Sequence, residues 1–255
     1  MTPLAADTSD LCESRGPTGL AEDADVHASS DEYAARFGNS VGQWMLQAQE
    51  NALFRLLDNE CTTVLDVGGG HGQIAIPLAK HGRSVTVVGS SHVCAQRLTP
   101  YIESGTISFK TGNLIDLPYH DKSFALTTSF RLISHCTNWR TLVAELCRVS
   151  EHAIIIDYPV WLSVNILTPL LFFLKRKVEG NTRTYRMFST WELKQEFKKH
   201  GFRLERSYKL FVWPMALHRL LKNIPISKTL EAPLRSIGIT RLFGSPVVAK
   251  FVREK

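Results

Sequence analysis

A glycine-rich turn directly after a short apolar run is the stretch of this sequence best suited to bind a ligand. The run VLDV ends at residue 67, and the pattern is Asp66-x-Gly68-x-Gly70-x-Gly72, with Gly69 completing three consecutive glycines. Glycine loses more chain entropy on folding than any other residue and has no side chain to pack. We therefore expect another group to lie against this backbone, at the start of the helix that follows.

The spacing of the glycines restricts which ligand they could bind. A dinucleotide fingerprint, G-x-G-x-x-G, would need a third glycine at Gln73, or at Ala75 when counted from Gly70. Alanine is tolerated at that last position, so a nicotinamide oxidoreductase is disfavoured but stays an alternative. A phosphate-binding P-loop would end in Gly-Lys-Ser/Thr, which is absent from the sequence.

The elements that must position this turn alternate along the chain. Apolar runs predict strands over residues 62–67, 84–89, 106–112, 123–130, 152–159, 202–212 and 245–252. Helical spacing of apolar residues predicts helices within 31–57 and over 73–82, 92–99, 138–149 and 190–200. Ser189 and Glu192 have capping-box spacing at the start of the last of these, and two short helices are expected within 214–244. Strands separated by helices predict a parallel sheet, whose ligands bind at the carboxyl ends of its strands.

The glycine turn resembles motif I of the class I S-adenosylmethionine-dependent methyltransferases. Residues 112–159 are similar to the family stretch that contains Gly-Asp, Leu-Pro, a Ser-Phe-Asp strand start, a loop histidine and a Glu-Leu-x-Arg-Val helix end. Residues 188–202 resemble the family's late helix, which ends in Gly-Phe. The nearest group is that of the quinone-biosynthesis and small-molecule methyltransferases.

This resemblance implies an α/β fold and one cofactor, S-adenosyl-L-methionine. The fold is a Rossmann-like, doubly wound sheet of seven strands, mostly parallel with the last strand antiparallel, with helices on both faces and a helical cap insert. The residues implied in cofactor binding are Asp66, Gly68, Gly69, Gly70, Gly72, Gly89, Ser90, Ser91, Asn113, Leu114 and Ser129.

Three positions where the family usually has an acid are neutral in this chain. They are Gly89 at the end of the second strand, Asn113 after the third, and Ala125 in the fourth. Serine hydroxyls and backbone amides could replace the carboxylates, with Asn113 bonding the adenine amino group. Alternatively, the protein binds the cofactor and no longer transfers a methyl group.

Two residues after the fourth strand are candidates for the chemistry. His135 could act as a general base for the acceptor's proton, or could be a loop histidine bonded to backbone. Arg131 could bind a carboxylate or phosphate of the acceptor, or could form a helix-flanking salt bridge. Asp157 and Tyr158, after the fifth strand, are further candidate contacts to the acceptor.

Charge and composition divide the chain into two parts. Residues 1–32 contain eight acidic residues and one basic residue, although the whole chain carries a formal charge of +6. We predict a disordered acidic tail over 1–30 and one methyltransferase domain over 31–255, with inserts 160–187 and 214–244 capping the acceptor side. The basic body indicates either an anionic partner or a solvated surface.

The remaining composition bears on localisation. The five cysteines form no Cys-x-x-Cys pair, so the sequence indicates neither zinc nor disulfides, and no secretory signal precedes the domain. These features favour a cytoplasmic protein. The apolar stretch 160–174 is shorter than the roughly 20 residues that span a bilayer. Together with the basic run after it, this stretch indicates either peripheral contact with a membrane or a covering helix followed by a solvated basic run.

We therefore expect a methyltransferase that acts on a small or lipid-linked metabolite, with an anionic acceptor as one option. The alternatives are a non-catalytic S-adenosylmethionine-binding protein and an RNA methyltransferase. No RNA-binding module is recognisable in the sequence, which argues against nucleic acid as the partner. The sequence leaves the acceptor atom and the oligomeric state open.

Overall fold

Seven strands form one sheet in the order β3-β2-β1-β4-β5-β7-β6. The computed structural model describes residues 22–163 and 185–254. The strands are β1 (Thr63–Val67), β2 (Ser84–Gly89), β3 (Ile107–Thr111), β4 (Phe124–Ser129), β5 (Ser150–Tyr158), β6 (Phe202–Phe211) and β7 (Ser245–Arg253). Strands β1 to β5 pair in parallel, and β7 runs antiparallel to both β5 and β6. The predicted topology is confirmed.

Helices cover both faces of the sheet. They are α1 (Ala24–Ala28), α2 (Asp31–Ala35), α3 (Ser40–Leu56), α4 (Ala75–Lys80), a 3₁₀ helix (His92–Leu98), α5 (Thr99–Glu103), α6 (Trp139–Val149), α7 (Thr190–Lys199), α8 (Met215–Leu221), α9 (Ile224–Ser236) and α10 (Ile239–Phe243). Strand side chains alternate between two cores, so that Val64 packs with α3 and α4 while Leu65 packs with α6 and α7. Burial on both faces explains the continuous apolar strands.

Two helical predictions are wrong in detail. The region predicted as one helix over 92–99 is a 3₁₀ helix, and α5 begins after it with Pro100 at its first turn. A proline at this position would remove a hydrogen bond from any α-helix running through it, so the helices separate there. Residues 214–244 form three helices, because Lys222 and Gly238 adopt left-handed conformations that end α8 and α9.

The capping of α7 also differs from the expected capping box. The Ser189 hydroxyl accepts a hydrogen bond from the Trp191 amide at 3.2 Å, whereas the Glu192 carboxylate pairs with Arg186 at 2.7 Å. The serine therefore caps the helix as predicted, and the glutamate instead joins α7 to the chain that precedes it.

The acidic N-terminus is folded in part. Residues 1–21 lie outside the described residues, but residues 22–30 contain α1, and the side chains of Ala24 and Asp25 are buried. The structure thus differs from the expected tail over this stretch. Residues 164–184, which hold most of the insert 160–187 and of the apolar stretch 160–174, are also outside the described residues. In the described parts of the chain, no helix is both long and apolar enough to cross a bilayer.

Candidate functional site

The glycine turn lies at the carboxyl end of β1, between the ends of β2 and β4. Gly68 and Gly72 have φ angles of +73° and +74°, a conformation that L-residues with side chains rarely adopt. The Gly68 amide donates to the Val88 carbonyl of β2 at 2.8 Å. The turn therefore requires glycine at both positions and is tied to the neighbouring strand.

Groups of this chain lie against the two middle glycines. A Cβ on Gly69 would lie 2.0 Å from Asp66 Oδ2, and a Cβ on Gly70 would lie 2.4 Å from the Cys94 carbonyl oxygen and 2.5 Å from Ser29 Oγ. The sequence predicted that something approaches this backbone closely. In the structure, Asp66, the 3₁₀ helix and the end of α1 make that approach.

Asp66 is buried beneath the turn. The Thr128 hydroxyl of β4 donates to its Oδ1 at 2.8 Å. Burial raises the pKa of this carboxyl to about 6, although the bond from Thr128 and the charge of Arg131 partly oppose the rise. The side chain joins β1 to β4 and fills the space beside Gly69.

The end of β2 binds a carboxylate that comes from another part of the chain. Gly89 is buried, and a Cβ there would meet Cys94 Cβ at 2.8 Å and the Phe109 ring at 3.0 Å. The backbone amide of Ser90 donates to Asp25 Oδ2 at 2.8 Å, and the Ser90 hydroxyl donates to Asp25 Oδ1. The family usually has an acid at the end of this strand, where this chain has Gly89. In the structure, the carboxylate of Asp25 from α1 lies beside that position.

The other predicted cofactor residues have local structural contacts. Ser91 accepts from the Val93 amide and caps the 3₁₀ helix, and Asn113 Oδ1 accepts from the Ile115 amide at 3.2 Å. Leu114 is part of the core, and the Ser129 hydroxyl donates to the Val67 carbonyl at 3.2 Å. Asn113 forms a side-chain turn after the end of β3, while Leu114 and Ser129 are buried.

Arg131 follows β4 in a left-handed conformation, with φ of +58°. Its guanidinium lies over the rings of Tyr33 and Phe37, at 5.5 and 5.1 Å from their centroids. One terminal guanidinium nitrogen is buried and has no hydrogen-bond partner within the described ranges. A buried, charged donor in this state has capacity to bind an anion.

A buried hydrogen-bond chain reaches the end of β5. The Gln73 amide donates to Gln49 at 2.7 Å, Gln49 donates to Asp157 Oδ2 at 2.8 Å, and the Arg131 backbone amide donates to Asp157 Oδ1. Burial raises the pKa of Asp157 to about 6, against the bond from the Arg131 amide. Asp157 therefore holds the loop that presents Arg131.

His71 is a candidate residue that the sequence reasoning did not select. Its ring meets those of Tyr33 and Phe37 edge-on, at 6.3 and 6.4 Å. Burial, and after it the charges of Arg131 and Arg97, lowers the pKa of His71 to about 3, so the ring is neutral near pH 7. Neither ring nitrogen has a hydrogen-bond partner in the described parts of the chain. Its position within the glycine turn was the sequence feature that could have identified it as a site residue.

The two predicted catalytic residues have different neighbours. Arg131 packs on α2 and the turn after it, whereas the half-buried His135 ring lies 5.6 Å from that of Tyr185. Over residues 22–163 and 185–254, no group of three or more histidine, cysteine or acidic side chains could hold a metal ion.

Comparison with known proteins finds similarity over the central part of the chain. Residues 64–152, which contain the glycine turn and run to β5, match a family described as a methyltransferase domain. The O-methyltransferase resE of Aspergillus sclerotiorum is 28% identical over 149 residues. That match covers 49% of this chain and 56% of the relative, so the chain spans about half the length of this curated relative.

Two solved structures share the fold over most of the chain. The methyltransferase in complex with the Trm112 methyltransferase activator of Haloferax volcanii has a TM-score of 0.64 at 16% identity, covering 92% of this chain and 100% of its own. The magnesium protoporphyrin IX methyltransferase of Synechocystis, with bound SAH, has a TM-score of 0.61 at 14% identity, covering 88% and 94%. The fold is that of the class I S-adenosylmethionine-dependent methyltransferases.

S-adenosylmethionine is the cofactor of the class I methyltransferases, and part of the site fits it well. Arg131 and His71, whose buried nitrogens have no partner among the described residues, each offer an N–H donor for a carboxylate beside the glycine turn. The fit is poorer at Gly70 and Ser90, where Ser29 and Asp25 occupy the adjoining space. The class I fold thus supplies the site, and α1 covers one end of it.

Proposed function

We propose that this protein transfers the methyl group of S-adenosylmethionine to an oxygen of a small or lipid-linked acceptor. The observation that carries the proposal is that the candidate donor-binding and acceptor-binding residues lie together at the carboxyl ends of three neighbouring strands. The glycine turn and Asp66 end β1, Arg131 follows β4, and Asp157 of β5 bonds the Arg131 backbone. Donor-binding and acceptor-binding groups are then adjacent, and such proximity is the main requirement of methyl transfer.

On the donor side, the chain's own residues bind and orient. The bound cofactor would supply an electrophilic methyl group on a sulfonium. The glycine turn (Gly68, Gly69, Gly70 and Gly72), Ser90, Ser91 and Asn113 are proposed to contact it, with Asp66 supporting the turn and Gly89, Leu114 and Ser129 shaping the pocket. The buried Arg131 and His71 nitrogens are suited to the carboxylate of the cofactor or of the acceptor.

On the acceptor side, His135 is proposed to take up the hydroxyl proton. Asp157 is a second titratable side chain considered for this role, but both of its carboxylate oxygens already accept hydrogen bonds, from Gln49 and from the Arg131 amide. We therefore assign the proton transfer to His135. Asp157 is assigned a positioning role, because it holds the loop that carries Arg131.

The proposal of an apolar acceptor is supported by side chains around His135 and the end of β5. Trp161, Leu162 and Tyr185 are each at least half exposed, and the Trp161 amide is bonded to the Phe188 carbonyl next to Arg186 and α7. Exposed aromatic groups beside basic residues suit an amphiphile with an anionic head, or contact with a membrane surface. The similarity to an O-methyltransferase favours oxygen as the acceptor atom.

The test is a screen of metabolite extracts for a mass gain of one methylene that requires S-adenosylmethionine. We expect wild-type protein to give one such product and Asp66→Ala to give none. Arg131→Lys should raise KM for an anionic acceptor, because lysine cannot bind a carboxylate with two parallel bonds. A thermal shift with NAD and none with SAH would contradict the proposal.

A second candidate is a protein that binds S-adenosylmethionine without transferring its methyl group. The neutral residues Gly89, Asn113 and Ala125, together with the occupation of Ser90 by Asp25, favour it. Tight SAH binding with no methylated product from any extract would support this candidate over the first.

A further inference from the structure

Residues 22–31 are here called the N-terminal strap. Three of its acidic side chains bind to three separate parts of the domain. Glu22 accepts from the Thr137 amide at 2.9 Å, just before α6. Asp25 binds Ser90 at the end of β2, and Asp31 pairs with Arg97 of the 3₁₀ helix. The strap therefore crosses the site from the loop after β4 to the loop after β2, held by acidic groups on an otherwise basic body.

Asp25 is the central attachment of the strap. It is 0% exposed, and its carboxylate accepts from the Ser90 amide, the Ser90 hydroxyl and the Cys94 thiol, the last at 3.3 Å. Its Cβ lies 3.4 Å from where a Cβ on Gly68 would be. This acid thus fills the space between the glycine turn and the end of β2.

The strap touches the same atoms that are proposed to bind the donor. Ser29 Oγ lies against Gly70, the Asp25 Cβ lies near Gly68, and the only backbone donor of Ser90 is bonded to Asp25. A ligand seated on the glycine turn and Ser90 would need the space in which these side chains lie. Since interiors are close-packed, both occupants do not fit together.

Complete burial also argues against Asp25 as a ligand for the donor in its present position. A carboxylate waiting for hydroxyl groups would face an accessible cavity, whereas both Asp25 oxygens are already bonded to this chain. The helix that carries it, α1, has five residues and no side-chain cap. So short a helix is not stable by itself, and its position depends on its contacts with the rest of the domain.

We propose that the N-terminal strap competes with the methyl donor for the glycine turn and Ser90, so that the donor binds only when the strap is displaced. This inference rests on the proposed donor site and adds its regulation. The strap lowers the apparent affinity for the donor in proportion to the fraction of molecules in which it is closed.

The first test measures SAH binding to the full chain by titration calorimetry. Asp25→Ala should bind SAH about tenfold more tightly than wild type, because the strap loses its central attachment. Asp23→Ala is the matched control, since Asp23 is exposed, lies in the same segment and makes no side-chain cap bond. Its affinity should equal that of wild type.

Equal or weaker binding by Asp25→Ala, with wild type still binding SAH, would overturn the strap proposal alone. Absence of SAH binding to all three folded proteins would overturn the proposed function as well.

The second test needs no variant. In wild-type protein, hydrogen exchange of the amides of residues 22–31 should become faster when SAH is added, because the ligand displaces the strap. Slower exchange would mean that the strap closes over the ligand, and would overturn the proposal.

Discussion

The two sides of the candidate site obtain their carboxylates in different ways. On the proposed donor side, β2 ends in Gly89 and Asn113 follows β3, and the carboxylate at Ser90 comes from Asp25, 65 residues earlier in the chain. On the acceptor side, β5 carries its own acid, Asp157, bonded to Gln49 of α3. Asp157 lies in a strand paired on both sides, whereas Asp25 lies in a five-residue helix. The acid of the acceptor side is therefore part of the sheet, whereas that of the donor side belongs to the strap that we propose to be displaced.

The largest expected effect is in the turn itself. Gly69→Ala would bring a Cβ to 2.0 Å from Asp66 Oδ2, and Asp66 is held in place by Thr128. We expect a loss of about 3 kcal/mol or more in the free energy of unfolding, and loss of SAH binding. Chemical denaturation measures the first and calorimetry the second.

The control for this change is Gly38→Ala, where a Cβ would meet nothing closer than the Ala35 carbonyl at 3.4 Å. It should leave both quantities nearly unchanged. A Gly69→Ala protein of wild-type stability would show that Asp66 can move, contrary to its role as a rigid support.

Asp157→Ala should destabilise the protein more than Asp25→Ala. Removing Asp157 leaves the Gln49 amide and the Arg131 backbone amide unpaired in the interior, at a cost of about 2–3 kcal/mol. When Asp25 is removed, the strap can open and water can bond the Ser90 amide, so about 1 kcal/mol is expected. Urea denaturation of both variants measures the difference; equal costs would mean that the strap is as fixed as the strand.

The pH dependence of stability should also distinguish the acceptor side. The pKa of Asp157 in the folded protein, about 6, lies above its usual value of about 3.9, so the folded state binds this proton more tightly than the unfolded state. Its stabilising contribution is therefore present below pH 4 and is lost as the pH rises through about 6.

Comparison with Asp157→Asn isolates this contribution. Between pH 4 and pH 7, wild type should lose on the order of 2 kcal/mol relative to Asp157→Asn, measured by denaturation at each pH. Parallel curves for the two proteins would show that Asp157 titrates at its ordinary value.

The smallest effect is expected at the outer end of the strap. Asp31 pairs with Arg97, but its side chain is 93% exposed. Exposed ion pairs contribute little, so Asp31→Ala should change stability by less than about 0.5 kcal/mol. SAH affinity by calorimetry should change less than twofold. A change as large as that from Asp25→Ala would show that the strap is held by its charges rather than by its buried bonds.

The sequence by itself determined the strands, the parallel topology and the glycine turn. These depend on local patterns: apolar runs such as that over 153–156, and the left-handed conformation required at Gly68 and Gly72. A local pattern determines the conformation of a segment through residues that are neighbours in sequence. It can therefore be recognised without knowing the tertiary structure.

Only the tertiary structure decided what lies on the turn and which polar groups share the site. Asp25 meets Ser90 across 65 residues, and Gln49 meets Asp157 across 108. The periodicity of the sequence does not predict such pairs, because they form only when folding brings distant segments together. The acidic N-terminus therefore had the composition of a disordered tail, while three of its acids had partners that folding alone could supply.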